Sequence, residues 1–252
     1  MRRLYLGAVW GDTWAALRPM RFNCRAPCED SMRPTIVAVG GFTSNTGKTT
    51  LVCELLSRLE NWEAIKVSRG HYRSCGRDPH ACCISPMLGE EPVVRSGRAE
   101  TYAPGKDTGR YWDAGASNVH WAVVTDGQVG EGVRAALGRV RAEGVLIEGN
   151  SLLRHLEPDL FLMVARPDVL KIKPTARRAL AKASGLYVSC EGVEDEGSMR
   201  RFVEWQETAG LSGVISELPV YTREDIPRLV AQIASLRRTP SESLEAGGAA
   251  TA

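Results

Sequence analysis

Lys48 and Thr49 close a run of small and polar residues, Gly40-Gly41-Phe42-Thr43-Ser44-Asn45-Thr46-Gly47-Lys48-Thr49-Thr50, which follows the apolar stretch Thr35-Ile36-Val37-Ala38-Val39. These are the residue types that binding a triphosphate requires. Backbone N–H groups of the loop and of the helix it opens point at phosphate oxygens, and the helix dipole favours their charge. Gly41 and Gly47 let the backbone come close and take φ > 0 where the turn needs it. Lys48 is expected to reach the β- and γ-phosphates, and Thr49 to place its hydroxyl on Mg²⁺. Thr43, Ser44, Asn45, Thr46 and Thr50 are expected to line the same phosphates. The usual spacing would set the first glycine at Phe42; here it is Gly41, so the loop is one residue longer.

A second set of charged residues has the chemistry to complete such a site. Gly144-Val145-Leu146-Ile147-Glu148-Gly149 is an apolar strand ending in a carboxylate. A strand of this kind can deliver an acidic group to the Mg²⁺–water network beside the phosphates, as a metal ligand or by orienting a water. A solvent-facing strand end is the simpler alternative. Only six of the 32 basic residues are lysine, and two of them, Lys66 and Lys106, fall at strand ends or loops near the phosphate loop. A lysine there is a compact charge suited to an anion. Asp107 opens a helix and is either its N-cap or a site carboxylate. Arg110 is a phosphate contact or a solvated face residue.

The segment from Arg69 to Cys83 packs three arginines, two histidines and three cysteines into one loop. His71, Cys75, His80, Cys82 and Cys83 are soft ligands suited to Zn²⁺ or an Fe–S cluster. No Cys-x-x-Cys is present, however, and adjacent cysteines rarely both bind one tetrahedral ion. The arginines favour an anion pocket for a phosphorylated or carboxylated substrate. Cys53 and Cys190 sit in apolar patterns and read as core residues, and His120 and Trp121 as packing residues within a strand.

These side chains are positioned by an alternation of strands and helices, which predicts an α/β fold: a single three-layer P-loop domain with a mostly parallel sheet and helices on both faces. Strands are expected at Thr35–Gly40, Ala64–Ser68, Val119–Thr125, Gly144–Glu148, Leu160–Ala165, Gly185–Cys190 and Gly213–Ser216. Helices are expected at Thr49–Leu59, Thr108–Ala116, Gly130–Ala142, Thr175–Ala183, Glu194–Thr208 and Arg223–Leu236. Residues 70–105 read as a long irregular, functional stretch. Residues 1–31, without sustained periodicity, read as a poorly ordered extension, 32–238 as the domain, and 239–252 as a disordered tail.

With 252 residues and 43% hydrophobic content, one sizeable core is expected. A net charge of +2 argues against nucleic acid as the main partner. No apolar run approaches the ~18 residues of a membrane span, and Asp12 and Arg18 interrupt any signal-peptide core. Seven cysteines form no disulfide framework, which fits a reduced, cytoplasmic protein.

The long phosphate loop is similar to those of dethiobiotin synthetase and the cobyrinic acid synthases. Three further segments resemble the molybdopterin-guanine dinucleotide biosynthesis protein MobB. They are Ala64-Ile65-Lys66; Gly105-Lys106-Asp107-Thr108-Gly109-Arg110 followed by Asp113-Ala114-Gly115-Ala116; and Leu146-Ile147-Glu148-Gly149. Order and rough spacing agree over residues 34–150. The resemblance implies GTP, Mg²⁺, weak hydrolysis, a dimeric assembly and a molybdopterin-related partner. No Asn-Lys-x-Asp motif is present, so GTP over ATP rests on the resemblance alone. Lys171-Ile172-Lys173-Pro174-Thr175 occupies a region where related P-loop folds contact the base. Two other readings remain: an ATP-dependent small-molecule enzyme, of dethiobiotin-synthetase or kinase type, holding its substrate with residues 69–83, and a metal-binding NTPase chaperone.

Overall fold

A computed structural model of the chain describes residues 33–70, 85–190, 192–193 and 197–236. The extension, the tail and the candidate metal ligands His71, Cys75, His80, Cys82 and Cys83 lie outside the described residues. In chain order the elements are β1 (Thr35–Gly41), α1 (Lys48–Leu56), β2 (Trp62–Arg69), β3 (Val93–Ser96), α2 (Arg98–Thr101), α3 (Asp107–Asp113), β4 (Asn118–Val124) and α4 (Val129–Leu137). They continue with β5 (Gly144–Glu148), β6 (Leu160–Ala165), α5 (Pro174–Leu180), β7 (Gly185–Val188), α6 (Gly197–Thr208), α7 (Ser212–Ile215), β8 (Val220–Tyr221) and α8 (Ile226–Ser235).

The strands form one sheet in the order β3-β4-β2-β5-β1-β6-β7-β8. Every pairing is parallel except that of β3 with β4. β1, β5 and β6 are buried along their whole length, because both faces of a parallel sheet are covered. The period of two sends Ile36, Ala38, Ile65, Val145 and Ile147 to one face, against Val129, Val133 and Ala136 of α4 and Phe202 of α6. It sends Val37, Val39, Ala64 and Leu146 to the other, against Leu51 and Leu55 of α1, Tyr111 of α3 and Leu229 of α8. The same alternation puts Lys66 and Glu148 on the α1 side, in the company of Ala64 and Leu146.

Three expectations are corrected. The stretch 213–216 is not a strand. Val214 and Ile215 donate their N–H groups to the Leu211 carbonyl, a helical turn that buries Leu211 and Ile215, and the last strand is the short β8. The stretch 70–105 is not wholly irregular, since β3 runs antiparallel along β4 and α2 follows it. Cys190 is exposed rather than core, because β7 stops at Val188.

Candidate functional site

The phosphate loop leaves β1 at Gly41 and enters α1 at Lys48. A Cβ on Gly41 would lie 2.5 Å from Thr46 Oγ1 and 2.8 Å from Lys48 Cδ, so the loop closes only over a glycine. Gly47 has φ 90°, in the left-handed region that disfavours a side chain, and a Cβ there would press on Ser189 Oγ at 2.7 Å. Asn45, at φ 60°, takes the other left-handed position, which asparagine tolerates. Lys48 folds back so that Nζ donates to the Thr43 carbonyl at 3.0 Å. Burial pulls its pKa below the ordinary lysine value, against the opposing charge of Glu148.

Beneath the loop, four polar residues from four elements meet. Thr49 Oγ1 lies 2.9 Å from Glu148 Oε2 and 3.1 Å from Asp107 Oδ1. Lys66 Nζ bridges the far oxygens of the same carboxylates, 2.6 Å from Asp107 Oδ2 and 2.7 Å from Glu148 Oε1. The Tyr111 hydroxyl donates to Glu148 Oε2 at 2.5 Å. Parallel pairing explains the convergence: β5 lies between β2 and β1, with Glu148 in register with Lys66 on one side and Val39 on the other. Asp107 and Tyr111, four apart on α3, present one helix face to this point.

Burial acts against the charge on Lys66, but the Glu148 carboxylate and the hydrogen bond to Asp107 outweigh it and raise the lysine's pKa. Burial likewise opposes ionisation of Asp107, and the Lys66 ammonium outweighs it, holding the carboxyl below its usual range. Both groups therefore stay charged. Burial and then the Glu148 charge push the Tyr111 phenol well above its ordinary value, so it remains a donor.

This oxygen set fits Mg²⁺. Thr49 has one hydroxyl proton for two carboxylate oxygens, so one of those contacts lacks a proton and the three oxygens converge without being mutually satisfied. Hard oxygen ligands, with phosphates and waters completing the shell, are what Mg²⁺ takes. Among the described residues no group of three or more His, Cys, Asp or Glu side chains is placed to hold a metal. The Zn or Fe–S candidates themselves lie outside the described residues.

The loop and this cluster line a cavity of about 610 Å³. Gly41, Thr43, Ser44, Asn45, Thr46, Gly47, Lys48, Thr49, Thr50, Lys66, Asp107, Arg110 and Glu148 all face it. Arg110 also donates to Thr50 Oγ1 at 3.3 Å. Lys106 does not belong to the lining: it is exposed and precedes the first turn of α3. Asn150, which the sequence did not single out, also takes part, as does Lys173 from the segment 171–175 expected near the base. Asn150 clamps the start of the loop, accepting the Gly41 N–H at 2.9 Å and donating to the Gly41 carbonyl at 2.8 Å. Lys173 donates to Ser44 Oγ at 2.8 Å and its N–H binds the Phe42 carbonyl, so this lysine holds the phosphate loop. Nothing local in the sequence marks Asn150; Tyr111 is legible only from its i+4 spacing to Asp107.

No protein-family model and no curated protein matches the chain. Among solved structures it is similar to HypB from Helicobacter pylori in complex with nickel, with TM-score 0.47 and 12% identity over 83% of this chain and 92% of that one. It is similar to a Zn(II)-bound triple mutant of the YjiA GTPase, with TM-score 0.40 and 14% identity over 76% of this chain and 58% of that one. It is also similar to an ATP complex of a Cyanothece McdA variant, with TM-score 0.36 and 11% identity over 80% and 88%. The chain has an α/β fold built on one mostly parallel eight-stranded sheet, with its glycine-rich loop at the carboxyl end of the central strand β1.

Proposed function

We propose that the chain binds a Mg²⁺–nucleoside triphosphate at the phosphate loop and hydrolyses it slowly, in a MobB-like role in molybdenum-cofactor biosynthesis in the cytoplasm. One observation carries this reading. Lys66, Asp107 and Glu148 come from the three separate segments that resemble MobB, and they meet around Thr49 within hydrogen-bonding distance. Segments 41 and 82 residues apart from Glu148 in the chain have no local reason to share one site.

The roles follow from the geometry. Backbone N–H groups from Thr43 to Thr49 would cradle the phosphates, and Lys48 would exchange the Thr43 carbonyl for a phosphate oxygen. Thr49, Asp107 and Glu148 would hold Mg²⁺, which when bound neutralises charge on the β- and γ-phosphates. Lys66 keeps Asp107 ionised and bridges both carboxylates, and Tyr111 locks the second oxygen of Glu148. Glu148 is then placed to orient a water at the γ-phosphate. Guanine as the base, a molybdopterin-related partner and a homodimer follow from the resemblance.

The test is titration and turnover of the full chain with GTP and ATP, each with and without Mg²⁺. Tighter binding of GTP with slow turnover is expected. Equal use of both nucleotides, or fast turnover that appears only with an added carboxylate or hydroxyl substrate, would replace this role with that of an ATP-dependent small-molecule enzyme.

A further inference from the structure

Next to the phosphate loop lies a second cavity, of about 390 Å³, whose wall is strongly basic. Arg69 reaches it from the end of β2, Arg154 from the turn after β5, and Arg178 and Lys182 from α5 and the residues just beyond. Asp126 is the one carboxylate in the lining. Thr175, Arg178, Ala179 and Lys182 follow helical spacing, so one stripe of the α5 segment faces the cavity. The floor is apolar, built of Val129, Leu153 and Ala179, all buried.

The cations are unequally engaged. Arg69 pairs with Asp126 at 2.9 Å, and Lys182 spends one N–H on the Leu153 carbonyl at 3.0 Å. Arg154 and Arg178 have neither an ion pair nor a side-chain hydrogen bond to any described residue. Clustering like charges in a concave wall is unfavourable until an anion enters, and guanidinium forks are built for phosphate and carboxylate oxygens. The two cavities share Arg69, Asn150, Ser151 and Thr175, and Glu148 and Gly149 line the first cavity beside that common wall.

We infer that this second cavity is the binding site of a small organic phosphomonoester, its phosphate on Arg154 and Arg178 and its apolar body on Val129, Leu153 and Ala179. The excess of cations over the single carboxylate favours a dianion over a monoanion, and the apolar floor favours an organic body over inorganic phosphate. The site borders the Glu148 side of the phosphate-loop cavity, where the γ-phosphate falls if the nucleotide reading above holds. Its position relative to a nucleotide rests on that reading; the basic cavity itself does not.

Phenyl phosphate is the probe, titrated by calorimetry into the full chain, first alone and then saturated with Mg²⁺ and a non-hydrolysable GTP analogue. One-site binding is expected in both states. Arg154→Ala combined with Arg178→Ala should weaken it by roughly tenfold or more. Arg154→Lys with Arg178→Lys should recover part of the loss by restoring charge. Asp126→Asn removes the competing carboxylate and frees Arg69, so it should tighten binding, an effect that damage to the fold does not produce. Unchanged affinity in the double alanine variant, or no tightening in Asp126→Asn, overturns the inference. Succinate binding as tightly as phenyl phosphate overturns the phosphomonoester assignment. Loss of phenyl phosphate in Lys48→Ala but not in the double alanine variant would place the anion on the phosphate loop and also overturn it. Failure of the nucleotide reading shows separately, as absence of nucleotide binding by the parent chain, and leaves the nucleotide-free titration decisive.

Discussion

Strand β2 contributes to two polar networks, each built on a carboxylate, that differ in everything around it. Near its amino end Glu63 lies 2.6 Å from His120 Nε2, and His120 Nδ1 lies 2.8 Å from Ser96 Oγ. The second oxygen of Glu63 accepts the N–H groups of Arg141 and Ala142 at 2.9 and 3.0 Å. An ionised carboxylate only accepts, so Nε2 carries the ring proton facing it. His120 is fully buried, the Glu63 side chain is 5% exposed, and neither lines the two cavities described above. Three residues along, on the opposite face of the sheet, Lys66 pairs with Glu148 and Asp107. That cluster opens on a cavity, and its Asp107 side chain is 41% exposed. A Ser–His–Glu series suggests catalysis when read as a motif, but here both Glu63 oxygens are satisfied and His120 and Glu63 are buried away from both cavities. The Lys66 cluster has one hydroxyl proton too few and an open side. Incomplete satisfaction together with access, rather than residue identity, separates a site from a structural network.

The comparison can be broken most severely at the closed network. Glu63→Ala leaves the buried His120 and two backbone N–H groups without their acceptor, and is expected to remove about 3 kcal/mol of stability in denaturant unfolding. Nucleotide affinity should be unaltered in the folded fraction. Burial opposes ionisation of Glu63, but the bonds from His120 and the Arg141 and Ala142 N–H groups outweigh it, so its folded pKa lies below the ordinary 4.5. A lowered pKa stabilises fully above the unfolded value and is lost as pH falls through the folded one. The stability gap between the parent and Glu63→Ala should therefore be constant well above pH 4.5 and narrow in more acidic solution. A gap of unchanged size there would mean that the carboxylate charge contributes nothing.

At the open cluster the expected losses are functional. Glu148→Gln keeps the shape and removes the charge, and should slow hydrolysis by about a hundredfold or more while changing nucleotide affinity far less. Unchanged turnover in single-cycle kinetics would leave Glu148, which is buried and not the solvent-facing strand end of the simpler reading, with a structural role only. Thr49→Ala should weaken nucleotide binding by roughly tenfold in Mg²⁺ and hardly at all in a chelator, since its hydroxyl acts through the metal. Equal weakening in both conditions would assign Thr49 to the phosphates instead. The smallest effect belongs to Lys106→Ala, which lies outside the cavity lining and should leave affinity within about twofold.

Much of the fold was legible because parallel strands buried on both faces appear as unbroken apolar runs, as in β1, β5 and β6. β3 was not, because an edge strand of four residues, Val93–Ser96, has no such run. The stretch 213–216 misled because a single helical turn and a short strand are both apolar at this length, and only the Leu211–Ile215 spacing separates them. At the site, the phosphate loop announces itself through local spacing. Lys66 and Asp107 stand out by charge and position, but only the segments resembling MobB join them to Glu148, since nothing in either segment alone points to it. Asn150 and Ser189 contribute through tertiary packing on Gly41 and Gly47, and an asparagine after Glu-Gly reads simply as a turn. Lys106, beside Asp107 in sequence, shows the limit of such segments: neighbours in a motif need not share the site.

The central claim is that the loop from Gly41 to Thr49 binds nucleotide phosphates through Lys48. It is tested most directly by calorimetric titration of Mg²⁺–GTP into the full chain and into Lys48→Ala, with the fold of each checked by thermal melting. One-to-one binding by the parent, weakened by about a hundredfold or more in Lys48→Ala at an unchanged melting temperature, is the expected result. Equal affinity in the two proteins would contradict it.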